Sequence, residues 1–170
     1  MAVKENPDAR NLYYLGRELS YYKEYERCAE ILKQYLEKSI FPQERSAACR
    51  ILAQAEPDKA EDWFMQSIEE WPSRESYLAL ANYYYLRKEW DECHLVAKRA
   101  LEFNTKPMEF LAEAWAWSHM ADDLVAVSAW QLGDYETALK HGLEALKISP
   151  QDQRLQENVR FYQGKIDGNI

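Results

Sequence analysis

Residues 132–150 read LGDYETALKHGLEALKISP. Leu132-Gly133-Asp134-Tyr135 makes a turn, since Gly and Asp punctuate chains, and Tyr135 then opens an amphipathic pattern. Ala138, Gly142 and Ala145 recur at helical spacing, a stripe of small residues that runs up to Pro150. Three further places pair an anchor with a small residue three positions on: Tyr25/Cys28, Pro57/Ala60 and Trp90/Cys93. The small residues of the four pairs, Cys28, Ala60, Cys93 and Ala138, lie 32, 33 and 45 positions apart. A period in the low thirties is the sequence mark of a helical solenoid. The expected fold is therefore all-α: a right-handed helical-repeat solenoid of about four helix pairs, with an inserted helix and a C-terminal capping helix.

Composition agrees with that reading and removes several functions. The chain has 170 residues, enough for one compact domain or one short repeat array, and 47% of them are hydrophobic, enough for a continuous core. Its 5 Gly and 6 Pro are too few turn formers for an all-β fold. Lys+Arg 21 against Asp+Glu 29 gives a net charge of −8, which phosphate backbones repel, so no nucleic-acid partner is expected. No run of 18 apolar residues exists for membrane insertion. MAVKENPDARN at the start lacks the apolar core of a secretory signal, which leads us to expect a cytoplasmic protein. Cys28, Cys49 and Cys93 have no C-x-x-C spacing and read as reduced, packed small hydrophobes.

Working outward along the chain gives four units, at about 7–38, 43–72, 74–105 and 119–150, within a single domain over 1–170. Asn6-Pro7-Asp8 starts the first, and Leu12, Leu15, Gly16 and Leu19 form one face of its first helix. A mid-helix glycine costs about 1 kcal/mol against alanine. Gly16 therefore predicts close approach of the second helix, whose inner face carries Tyr25, Cys28, Ile31, Leu32, Tyr35 and Leu36. Ala47, Ala48 and Ile51, then Ala60, Phe64 and Ser67, serve the second unit. The third uses Tyr77, Leu80, Ala81 and Tyr84 before a turn at Arg87-Lys88-Glu89. An inserted helix is expected over 106–118, with Phe110, Ala114 and Trp117 on one side, and a polar capping helix over 151–164.

These features resemble tetratricopeptide repeats. Leu12, Leu15-Gly16 and Leu19 match the first half of that pattern, while Ala60, Phe64, Ser67 and Pro72 match the second, as do Ala138, Ala145 and Pro150. Glu44 and Asp122 depart from it, standing where a large apolar residue is usual. Two stretches carry a narrower resemblance, NPDARNLYYLGRELSYYKEYERCAEILKQYL and AEAWAWSHMADDLVAVSAWQLGDYETALKHGLEALKISPQDQRLQENVRFY. They are similar to the opening and closing parts of the repeat tails of bacterial family 2 glycosyltransferases, including the cap motif Arg154, Leu155, Asn158, Phe161 and Tyr162. The resemblance implies an accessory module of such an enzyme, with its catalytic domain or acceptor as partner. It does not bring the enzyme, because the family's Asp-x-Asp metal motif is absent and Asp122-Asp123 reads as first-turn helix acids.

No catalytic residue, metal ligand or cofactor is assigned. His94, His119 and His141 have no partners at ligand spacing and read as surface or helix-packing residues. No G-x-S-x-G, Walker lysine or glycine-rich nucleotide loop occurs. The expected function is non-catalytic recognition of a protein or peptide on a concave groove lined by the first helix of each pair. The candidate positions are Tyr13, Arg17 and Ser20; Arg45, Cys49 and Leu52; Leu78, Asn82 and Tyr85; Asp123, Val127 and Trp130. The rival reading is a stand-alone peptide-binding adaptor or co-chaperone. The Lys/Asn set that clamps a chaperone's terminal carboxylate has its match in Asn82 alone, with Arg17 and Arg45 as the nearest cations. Homodimerisation through exposed apolar helices is a further candidate. Trp115 and Trp117, two apart on the inserted segment, point to different sides.

Overall fold

The computed structural model describes residues 7–107 and 112–168. Among them the chain is helical with no strand. The helices are α1 (Pro7–Tyr21), α2 (Tyr25–Lys38), α3 (Pro42–Ala55), α4 (Ala60–Glu70), α5 (Arg74–Arg87), α6 (Trp90–Leu101), α7 (Met120–Gln131), α8 (Tyr135–Ile148) and α9 (Gln153–Ile166). The chain divides into two compact units, Met1–Pro72 and Ser73–Ile170. Neighbours pair as antiparallel hairpins: α1 with α2 and α3 with α4 in the first unit, α5 with α6 and α7 with α8 in the second, where α9 closes on α8.

Local chemistry sets the helix ends. The hydroxyl of Ser73 accepts from the Ser76 amide at 3.2 Å, the carboxylate of Asp134 from that of Thr137 at 3.1 Å, and the carboxylate of Asp152 from that of Leu155 at 3.2 Å. Each satisfies one orphan donor of a first turn. Three hairpin turns share one construction. Lys23, Lys88 and Gly133 take the left-handed conformation, at φ of 59°, 60° and 83°. The residue after each donates its amide back into the preceding helix: Glu24 to Leu19, Glu89 to Tyr84, Asp134 to Ala129, all near 3.0 Å. The anchor that begins the next helix follows at once, as Tyr25, Trp90 or Tyr135. The α3–α4 connection differs, because Pro57 opens a single 3₁₀ turn, Pro57–Lys59, instead.

Small residues then let the helices close. A Cβ on Gly16 would fall inside the isobutyl group of Leu32, so the expected close approach of α1 and α2 is met. On α8 the same device recurs at Gly142, where a Cβ would lie 3.1 Å from the Tyr162 ring of α9. In the first unit Ala9, Tyr13, Leu19, Cys28, Leu32, Tyr35, Ala48 and Leu52 make the core. In the second, Leu78, Leu80, Ala81, Cys93, Ala97, Val125, Ala129, Ala138, Ala145 and Leu155 are buried. Leu15 departs from its expected face, being 45% exposed while Gly16 and Leu19 turn inward. The three cysteines are buried and unbridged. Burial pushes the Cys49 thiol up to about 12 and that of Cys93 to about 11.

The two departures from the repeat pattern are buried charges with partners. Glu44 on α3 meets the Arg10 guanidinium at 3.2 Å and accepts from the Tyr35 hydroxyl at 3.4 Å. Asp122 on α7 lies 2.8 Å from Nδ1 of His141 on α8. The insertion also differs from expectation. Residues Ala114–Trp117 form one 3₁₀ turn, and 108–111, which include Phe110, lie outside the described residues. Arg74 and Glu75 at the start of α5 hold the segment. Arg74 donates to the carbonyls of Ala116 (2.7 Å) and Phe103 (3.1 Å), and its guanidinium lies 4.9 Å from the Trp117 ring centre. Glu75 accepts from the Glu113 amide at 3.1 Å and from the Trp117 indole at 2.9 Å. Backbone groups that a helix would satisfy internally find side-chain partners instead. Trp115, by contrast, is partly exposed and donates to Glu113 at 2.6 Å.

Candidate binding surface

In the first unit the candidate positions do not assemble into a surface. Tyr13 is a core residue, its ring 5.4 Å from that of Tyr35, and Cys49 and Leu52 are fully buried. These are corrections: Tyr13 packs onto α2, and α3 meets α1 and α2 as well as its partner α4, so it buries residues beyond the α3–α4 seam. Arg45 is no ligand-facing cation. Its guanidinium makes a two-pronged pair with Glu70 (2.7 Å and 2.5 Å), donates to the Ser39 carbonyl at 2.8 Å and also bonds the carbonyl of Leu36. It ties α3 to the ends of α2 and α4. The hydrogen bond from Arg45 holds the Glu70 carboxyl below its ordinary value, against the opposing effect of burial. Ser20 spends its hydroxyl on the Arg17 carbonyl at 2.7 Å. Arg17 lies over the Tyr14 ring at 5.2 Å, and its Nε has no partner among the described residues.

The second unit gathers most of its candidates on one side. Leu78 is fully buried between helices and is corrected to a core residue. Asn82 and Tyr85 of α5 and Asp123, Val127 and Trp130 of α7 are half-buried. The side-chain amide of Asn82 has no partner among the described residues. Helix α9 supplies what sequence reasoning left off this surface. Arg154 grips Asp123 with both prongs of its guanidinium, at 3.0 Å and 2.7 Å. Phe161 packs edge-on against Trp130 with ring centres 5.4 Å apart, and Tyr162 lies 5.2 Å from the same indole. Tyr135 stands 4.9 Å from it on a third side. The signal was present in the spacing. Arg154, Asn158 and Phe161 repeat the i, i+4, i+7 interval of Leu78/Asn82/Tyr85 and Asp123/Val127/Trp130, so α9 is a third first helix and not only a cap.

Electrostatics couple these groups. The hydrogen bond to Asp123 raises the Arg154 guanidinium further, with burial acting against it and the fields of Asp123, Asp152 and the Tyr85 phenol adding to it. The Tyr162 phenol is pushed well above its usual range, chiefly by burial and then by the Asp123 charge. The surface thus combines an unpartnered amide, an internally compensated ion pair and an aromatic cluster. A shallow depression of about 320 Å³ lies elsewhere on this unit, lined by Asp91, His94, Leu95, Lys98, Arg99, Glu102 and Leu132. Arg99 and Glu102 pair at 3.0 Å within it, and His94 holds the Ser128 hydroxyl at 3.1 Å. His119 bonds Ser149 at 2.9 Å. Among the described residues no three His, Cys, Asp or Glu side chains gather as a metal site, and no helix is long and apolar enough to cross a membrane.

The architecture is that of a helical-repeat solenoid protein, and solved structures agree. A structure of PilF from Pseudomonas aeruginosa superposes with a TM-score of 0.66 at 19% identity, over 92% of this chain and 66% of that one. A MamA RS-1 double mutant gives 0.76 at 10% identity, over 98% of this chain and 89% of that one. A further MamA structure gives 0.74 at 14% identity, covering 95% and 83%. These are tetratricopeptide-repeat proteins, and the chain has their fold; the PilF structure is the longer, so that this chain spans just under two thirds of its length. No protein-family model and no curated protein matches the sequence.

Proposed function

We propose that the α5/α7/α9 side of the second unit docks an extended segment of a partner protein, with no chemistry performed on it. The observation that carries this reading is the set of residues at matching intervals on three first helices, Asn82, Val127 and Asn158, with Tyr85, Trp130 and Phe161 one turn further along. An extended peptide carries alternating donors and acceptors, which suit the unpartnered Asn82 amide, while Val127, Trp130 and Phe161 offer apolar surface beside it. The surface is built on helices and Trp130 is held by three neighbouring rings, so binding needs little backbone rearrangement. The test is the double variant Asn82→Ala/Val127→Glu. It should keep the far-UV helical signal and lose at least tenfold in affinity for captured peptides; undiminished binding sinks the reading.

The finer identity rests on the two stretches that resemble glycosyltransferase repeat tails. On that reading the chain is an accessory of a bacterial sugar-transfer enzyme, working in the cytoplasm beside a catalytic domain or its acceptor. A stand-alone adaptor is the alternative, and a homodimer is compatible with either. Buried, unbridged cysteines suit a reducing compartment. Nucleotide-sugar hydrolysis by the purified chain would contradict the non-catalytic role.

A further inference from the structure

We propose that the segment docked on the α5/α7/α9 side carries an aromatic side chain flanked by basic residues, and that this aromatic seats against Phe161 and Trp130. The inference rests on the docking reading above and adds the chemistry of the partner. Phe161 is 52% exposed, yet its ring already stacks edge-on against Trp130. Trp130 is in turn held by Tyr135 and Tyr162 at 4.9 Å and 5.2 Å. A ring arriving at Phe161 therefore meets a pre-ordered aromatic edge, and little side-chain freedom remains to be lost.

Charge decides what flanks that ring. Arg154 is a cation of this surface, and Asp123 bonds both terminal nitrogens of its guanidinium. Its charge is already met by Asp123, so an acidic segment or a terminal carboxylate gains less there than at an unpaired cation. The chain as a whole carries a net charge of −8, which repels acidic partners and draws basic ones. Arg or Lys beside the aromatic also finds the faces of the same ring cluster, as Lys165 already does over Tyr135 at 5.5 Å.

The test pans a phage-displayed library of random dodecapeptides against the full wild-type chain and against Phe161→Ala. Phe161 is half exposed, so the variant should keep its helices, which far-UV circular dichroism verifies. The wild-type selection should enrich Phe, Tyr or Trp at one position with Lys or Arg beside it. A synthetic consensus peptide should bind Phe161→Ala about tenfold more weakly, the scale of one lost aromatic contact. Equal aromatic enrichment on Phe161→Ala, or an acidic consensus, overturns the proposal. Peptides that lack an aromatic but are lost on Asn82→Ala/Val127→Glu overturn it and leave the docking reading standing. Peptides indifferent to both sets of substitutions, or no enrichment at all, overturn both.

Discussion

Gly16 and Gly142 are the same residue in equivalent roles, and their surroundings separate them. At Gly16 a methyl group would overlap the fully buried Leu32 side chain, and overpacking of this kind costs about 1–3 kcal/mol, more than the roughly 1 kcal/mol that alanine gains in helix propensity. Gly16→Ala should therefore lower the urea midpoint. At Gly142 the nearest atoms are 3.1 Å away on the Tyr162 ring, and Gly142→Ala should cost less in the same assay. Glu70 supplies a pH prediction. Arg45 depresses its carboxyl below the ordinary 4.5, so the pair's contribution is complete above the unfolded carboxylate's value and is lost as pH falls through the lower folded one. Glu70→Gln should lose about 1.5–3 kcal/mol at neutral pH and lose less than the wild type between pH 5 and 3, read from denaturant titrations. Gly16 was legible in the sequence because a helix tolerates mid-helix glycine only for a reason. Arg45 was not, because its partner lies 25 residues away and no local pattern joins them.

The hairpin turns carry the second scale. Lys23 and Lys88 occupy the left-handed position that Gly133 fills without strain, and a side chain there costs about 1–2 kcal/mol. Lys88→Gly should raise stability by about 1 kcal/mol, and Gly133→Ala should lower it by a similar amount, both measurable as shifts in thermal midpoint. The pairing of elements could be read from the anchors Tyr25, Trp90 and Tyr135, since each begins a second helix. The face could be read only in part. Periodicity locates the seam with the partner helix, but a first helix has a second seam with its neighbour, and Cys49 and Leu78 fall into packing that the period does not mark. Helix α9 reads as a cap for a related reason: its polar face, with Glu157, Arg160 and Gln163 exposed, masks the line of Arg154, Asn158 and Phe161 that matches the earlier first helices. The insertion is harder to read for a simpler reason, because Arg74 and Glu75 lie about 40 positions away and bond the Ala116 carbonyl and the Glu113 amide.

At the scale of the molecule, the net charge of −8 acts through space before any contact forms. Association with a basic peptide should slow as salt screens that field, roughly tenfold in on-rate between low and high ionic strength, with a smaller change in off-rate. Stopped-flow mixing at several salt concentrations measures this, and a salt-independent on-rate would remove charge from the partner's description. The repeated turn has a different consequence. In each of the three matching hairpins the closing amide reaches back only five residues, from Glu24 to Leu19, from Glu89 to Tyr84 and from Asp134 to Ala129. So short a loop loses little entropy on closure, and proteins dominated by such local contacts fold in microseconds to milliseconds. Each of these three hairpins can therefore close on local contacts alone, as soon as its second helix has left the ribosome.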